Sequence, residues 1–155
     1  MPNRKISLNQ EVLRARMAYI EDSLSSLERF KGISYEQFHS NSDHFRIAFY
    51  DLHRALEAVL DIGSHILSRI PGARPSSYKD IPRLLEKHKM IPPDFAVNQL
   101  TKMAGYRNRM VPFYGEITEN DIYNIIQQEL QDLHTFCTYV DKILREPSKY
   151  NLSAE

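Results

Sequence analysis

Residues 106–117, YRNRMVPFYGEI, concentrate the groups in this chain best suited to handling an anion. Arg107 and Arg109 carry permanent positive charge, Asn108 can donate and accept, and Tyr114 offers a nucleophilic or hydrogen-bonding hydroxyl. Pro112 stands between them, where a side chain able to exchange a proton would complete a catalytic set. Upstream, Ala96, Leu100, Met103, Arg107 and Met110 fall at steps of four and three, which places Arg107 on an otherwise apolar stripe. A buried arginine is costly unless it is paired or serves a ligand. The plain alternative is a helix end whose cations complement the dipole. The residues by themselves leave the two readings even.

A second polar set lies in the middle of the chain. Arg54, Glu57, Asp61 and His65 follow steps of three and four, so they share one helix face, where Asp61 and His65 can pair. The strip reads either as a solvated face with helix-supporting pairs or as support for a neighbouring site or subunit interface. His53 and His65 could each serve as a phosphorelay histidine, but neither is followed by the context that role needs. Metal chemistry is not expected: a single Glu-x-x-His, Glu36 to His39, supplies too few ligands. No cofactor is expected either.

The elements that must position these residues are helical. Leu13, Met17, Ile20, Leu24 and Leu27 predict a helix from about Asn9 to Phe30, and SYEQFHSN follows as a short connection. A long second helix starts near Ser42 as N-cap and carries Phe45, Phe49, Leu52, Leu56, Val59, Gly63, Ile66 and Ile70. Pro71-Gly72 ends it, and ARPSSY is a loop. A shorter helix is expected over Lys79 to Lys89. Pro92 and Pro93 open a fourth, which runs to about Met110 and breaks around 109–112, because proline removes a donor and restricts the residue before it. The last helix begins near Thr118, whose Thr-x-x-Asp spacing to Asp121 makes a capping box, and ends near Pro147. No segment alternates with period two. The expected fold is all-α, an antiparallel up-and-down bundle of about five helices. It forms one domain over residues 1–155, with its core over about 9–146 and a flexible tail over about 148–155.

Composition narrows the functional classes. The 155 residues carry 20 Lys plus Arg against 20 Asp plus Glu, so any attraction for nucleic acid must be local. The lone Cys137 excludes an internal disulfide framework and a cysteine-rich zinc site, and fits a cytoplasmic protein. The N-terminal MPNRKISLNQ lacks the apolar core of a signal peptide, and no apolar run reaches the ~20 residues of a membrane span.

Several features together resemble the HepT-like toxins of the HEPN superfamily. Their mark is Arg-x4-His-x-Tyr with asparagine after the arginine; Arg107, Asn108 and Tyr114 match it, and Pro112 occupies the histidine position. LHRALEAVLDIGSHI (52–66), SYKD and MIPPDF also resemble the family, so the likeness runs from about residue 10 to 145. It implies a HEPN-like homodimer whose two motifs line one cleft, and a metal-independent endoribonuclease. In that chemistry the histidine handles the proton of the ribose 2′-hydroxyl or the leaving oxygen, and the arginine stabilises phosphate charge. Arg109 becomes a possible RNA contact. The resemblance further implies a minimal nucleotidyltransferase antitoxin that adds AMP to Tyr114. Proline has no side-chain proton to exchange, so the expectation for this chain is attenuated or absent cleavage. The proline is either a natural degeneration or a replacement that makes a toxic chain tolerable. The rival reading is a catalytically dead dimeric module that binds its partner or a nucleotide.

Overall fold

The computed structural model describes residues 7–110 and 116–154. Among these, seven α-helices form an all-α antiparallel bundle with no strand. Helix α1 spans Gln10–Leu27 and continues as a 3-10 turn, Glu28–Phe30. Asn9 caps it, its side-chain oxygen accepting from Val12 N–H, and its apolar stripe is buried. The connection after it contains a further short helix, α2 (Tyr35–His39), set by a capping box between Ser34 and Gln37.

Helix α3, Ser42–Ser68, is the axis of the bundle. Its N-cap is Asn41, not the expected Ser42: the Asn41 side chain accepts from Asp43 N–H. Leu52, Leu56, Leu60, Ile62, Ile66 and Leu67 of this helix are almost wholly buried, each contributing roughly 1.5–3 kcal/mol of burial energy. Helix α1 packs along α3 more extensively than any other pair of elements. The two run antiparallel, since Asn9 N–H reaches His65 while Ser26 at the other end of α1 donates to buried Asp51. Ser26 in turn accepts from Arg29 at 2.7 Å, which completes the partners of this polar insertion.

Helix α4, Asp80–Lys87, lies against α3 at Gly63. A Cβ there would sit 2.6 Å from the Ile81 side chain, so the glycine permits the close approach. Past Pro92-Pro93 the chain enters one π-helical stretch, Phe95–Leu100, and then α5, Thr101–Arg109. Thr101 closes the wide turn by donating both its N–H and its hydroxyl to the Ala96 carbonyl, the latter at 2.7 Å.

The expected last helix is two: α6, Glu119–Gln128, and α7, Leu130–Arg145. Glu129 leaves helical geometry at φ −124° and ψ 4°, and its carboxylate turns to α5, accepting from Tyr106 and facing Lys102 at 3.7 Å. Even so, Ile122, Ile126, Leu130, Leu133, Cys137, Val140 and Leu144 are all buried, as the stripe requires.

Beyond Arg145 the described chain stays close to the bundle. A 3-10 turn covers Pro147–Tyr150, Leu152 is buried, and Leu8 N–H donates to the Ser153 carbonyl at 2.7 Å. An apolar anchor and a backbone hydrogen bond to the other terminus hold it down, a combination that no local pattern announces. No described helix is long and apolar enough to cross a membrane.

Candidate functional site

Helix α5 brings Arg107 to α3. Ala96, Leu100, Met103 and Met110 of its stripe are buried, which fixes the rotation of the helix and leaves Arg107 only partly exposed. Arg107 Nε donates to Glu57 Oε1 at 2.5 Å. The guanidinium carbon also lies 4.7 Å from the centre of the Tyr78 ring. An ion pair on one edge and an aromatic face below hold the group in one orientation. Among the described residues, the hydrogen bond to Glu57 runs through Nε, and Asp61 is close enough for the Arg107 charge to be felt at its carboxyl.

The same carboxylate oxygen has a second neighbour. His53 Nε2 lies 3.6 Å from Glu57 Oε1, with its ring stacked parallel on Phe49. Burial is the main force raising the Tyr78 hydroxyl above the usual phenol range, with the charges of Glu57 and Asp61 adding and Arg107 opposing. Tyr78 therefore stays a neutral platform. Burial likewise raises the Asp61 carboxyl, with the negative charge of Glu57 next in importance.

The polar strip of α3 borders two surface hollows. Arg54 lies 4.4 Å above the Tyr19 ring of α1, and with Glu57 and Asp61 it borders a surface hollow of about 330 Å³. Asp61 also borders a larger hollow of about 490 Å³, shared with His65, Arg16 and Arg74. The expected Asp61–His65 pair is absent. His65 Nε2 instead accepts the Asn9 N–H at 3.2 Å, one of the backbone donors that the start of a helix leaves without an intrahelical partner. Burial, then Arg69, lowers the His65 pKa and keeps the ring a neutral acceptor.

Asn108 is half-buried on α5 beside Arg107. Arg109 donates at 2.8 Å to Asp121 and at 2.9 Å to the Glu116 carbonyl. The receiving Asp121 oxygen is also the one that completes the capping box with Thr118 N–H. That backbone bond is the largest influence holding the Asp121 carboxyl below its usual range. One aspartate oxygen thus joins the end of α5 to the start of α6. Pro112 and Tyr114, with the rest of 111–115, lie outside the described residues.

Tyr106 is separated from the motif by its partner. Its hydroxyl donates to Glu129 at 2.8 Å, and burial, then this bond, pushes its pKa upward. Among the motif's described residues, Arg107 is the one with a hydrogen bond to α3. Two residues of the site escaped the sequence reading: Tyr78, in what reads as loop, and His53 as a neighbour of Glu57. The i,i+4 spacing of His53 and Glu57 was the available signal for the second. For the first, the signal was the family likeness of the SYKD segment that contains it.

A family model described as Ribonuclease HepT-like matches residues 20–140. The chain is 27% identical to the tRNA nuclease HepT of Aphanizomenon flos-aquae over 86% of its own length and 90% of that protein. It is 33% identical to the mRNA nuclease HepT of Shewanella oneidensis over 56% of its own length and 64% of that protein. Its fold is similar to that of a tri-AMPylated Shewanella oneidensis HEPN toxin solved in complex with MNT antitoxin. The TM-score is 0.76 at 25% identity, covering 86% of this chain and 98% of that one.

Proposed function

The chain belongs to the ribonuclease HepT-like family, and from that premise we propose that it is the RNA-cleaving toxin of a toxin–antitoxin pair, attenuated by Pro112. The observation that carries the reading is the clamped Arg107: Glu57 and Tyr78 fix its guanidinium in one orientation, at the end of a helix, on the arginine of the family motif. Such a group is prepared to neutralise charge on a scissile phosphate without reorganising. RNA is the matching substrate class, since the 2′-hydroxyl is the internal nucleophile. Its oxygen bonds to phosphorus as the bond to the 5′-oxygen breaks.

Arg107 binds the phosphate and Asn108 orients the arginine or the substrate. Arg109, engaged by Asp121 yet partly exposed, remains a candidate RNA contact. A histidine at 112 would exchange the proton that proline cannot, and losing a general acid or base costs about 10²–10⁴-fold. The active species on this reading is a cytoplasmic homodimer, the two 107–114 segments facing across the two-fold axis so that one cleft holds both arginines. A minimal nucleotidyltransferase partner adds AMP to Tyr114, and the bulky anion blocks RNA.

The deciding experiment compares this chain with Pro112→His on single-stranded RNA, with EDTA present. Cleavage is expected from Pro112→His, lost again on Arg107→Ala, with little from the unaltered chain. A dimeric, folded Pro112→His protein that cleaves nothing would favour the non-enzymatic module.

A further inference from the structure

A groove of about 510 Å³ lies at the far end of α5 from Arg107, between the close of α4 and the last turns of α7. Met90 and Ile91, both buried, form its apolar floor. Tyr139 and Tyr150 stand as half-exposed walls, and Tyr139 is fixed by edge-on packing against Phe95 with ring centres 5.1 Å apart. Pro92 and Pro93 make a stiff rim.

Three cations surround this apolar cleft. Lys87, Lys89 and Lys142 are exposed, and none forms an ion pair with any other described residue. Lys142 lies 5.9 Å above the Tyr139 ring. Among the described residues, Glu86 is the one acidic residue lining the groove, and Glu146 is already matched by Lys149 at 3.9 Å. The balance at the groove is therefore positive in a chain whose total charge is zero.

Lys89 adds an independent observation. It has φ +59°, the left-handed conformation that a helix-ending glycine adopts without strain. Its N–H donates to the Glu86 carbonyl at 2.9 Å, and Met90 N–H reaches back to Leu85 at 2.9 Å, so the turn is the usual helix stop with an unusual occupant. Strain at a turn, kept by a charged residue on the rim of a groove, points to a use for that charge.

We propose that this groove is a second RNA-binding site, which holds a single-stranded stretch of substrate by phosphate–lysine contacts and by stacking of bases on Tyr139 and Tyr150. Positive rims around aromatic platforms are how single strands are gripped without sequence preference. The inference rests on the nuclease reading for its ligand. Some 14 helical residues separate Pro93 from Arg107, about 20 Å at the usual rise, so a strand of several nucleotides reaches from the groove to the arginine. The site would select long, unpaired RNA over short fragments.

The test is fluorescence anisotropy with a labelled single-stranded RNA of about 12 nucleotides, across a range of salt. The full chain is compared with a triple Lys87→Gln, Lys89→Gln, Lys142→Gln variant. Affinity at low salt should fall about tenfold or more, and the slope of log affinity against log salt should drop by about 2. A triple Lys→Arg variant should restore both. Lys89→Gly should melt at higher temperature yet bind RNA more weakly, which separates the effect from misfolding. Unchanged affinity and slope in the glutamine variant overturns the groove. So does a glutamine variant that keeps RNA but loses the nucleotidyltransferase, which would make the surface a protein contact. If lysine-dependent binding holds but Pro112→His never cleaves, the groove stands and the nuclease reading falls. If Pro112→His cleaves long RNA equally well with lysine or glutamine, the reverse is true.

Discussion

Arg107 Nε and Glu57 Oε1 meet at 2.5 Å, joining the end of α5 to the middle of α3 across a span of 50 residues. The side chains are 30% and 26% exposed, so the pair is half-buried and solvent weakens its Coulomb energy. Its contribution to stability should be modest, about 1 kcal/mol, and its larger effect is on orientation. In the Pro112→His background, Glu57→Gln is expected to lower kcat about 10–100-fold while the melting temperature moves little. Arg107→Lys should not rescue activity, because a compact ammonium lacks the planar fork that can bond Glu57 on one edge and a phosphate on another. Parallel kinetics and thermal melts check this; equal losses of stability and activity would make Glu57 merely structural.

Tyr106 and the motif's Tyr114 should behave differently toward a nucleotidyltransferase. Tyr106 donates to Glu129 and is partly buried, so it offers neither access nor a ready nucleophile. AMP is expected on Tyr114 and not on Tyr106 when the partner enzyme is supplied with ATP and Mg²⁺. Tyr106→Phe should retain the mass gain and lose about 1 kcal/mol of stability with its hydrogen bond. Tyr114→Phe should abolish the gain. Intact-protein mass spectrometry reads both, and a gain that survives Tyr114→Phe shows that another residue is modified.

Gly63 should resist even the smallest side chain. Its added Cβ would lie 2.6 Å from Ile81 Cγ2, on a fully buried and β-branched side chain with few rotamers to escape into. Alanine improves helix propensity by about 1 kcal/mol, and overpacking costs about 1–3 kcal/mol. Gly63→Ala is therefore expected to be destabilising on balance and to loosen α4 against α3. A urea midpoint at or above that of the parent chain would show that α4 yields freely.

Cys137 should stay a protonated, unreactive thiol. Burial, then the charge of Glu21 and a hydrogen bond to it, pushes its pKa up to about 12 from the ordinary 9.0. The folded pKa is raised above the unfolded one, so the thiol's contribution is fully present below pH 9 and is lost as pH rises toward 12. In that window the parent chain should lose stability faster than Cys137→Ala, by up to about 1.4 kcal/mol per pH unit. Denaturation curves across the range measure the difference. Native protein at neutral pH should also resist alkylation; rapid labelling would contradict the burial of the thiol.

Patterns that are local in the chain were legible without coordinates. Helix existence and the buried stripes followed from spacing, because a 3.6-residue period leaves its imprint on composition. The cap at Thr118 and the end of α5 just before Pro112 followed from backbone chemistry. So did the placing of Arg107 on an apolar stripe, since its neighbours mark the face. What the sequence could not supply were relationships between distant segments. The break at Glu129 falls where its carboxylate meets Tyr106 on another helix, and local propensity carries no trace of that partner. The tail packs because Leu152 finds the core and Ser153 meets Leu8. His65 turned from Asp61 to Asn9 because α1 lies antiparallel along α3. Above all, a conspicuous arginine was visible in the sequence, but only the tertiary packing chose Glu57 and Tyr78 as its clamp. Side-chain periodicity determines which way a residue faces; the three-dimensional arrangement of helices decides what it faces.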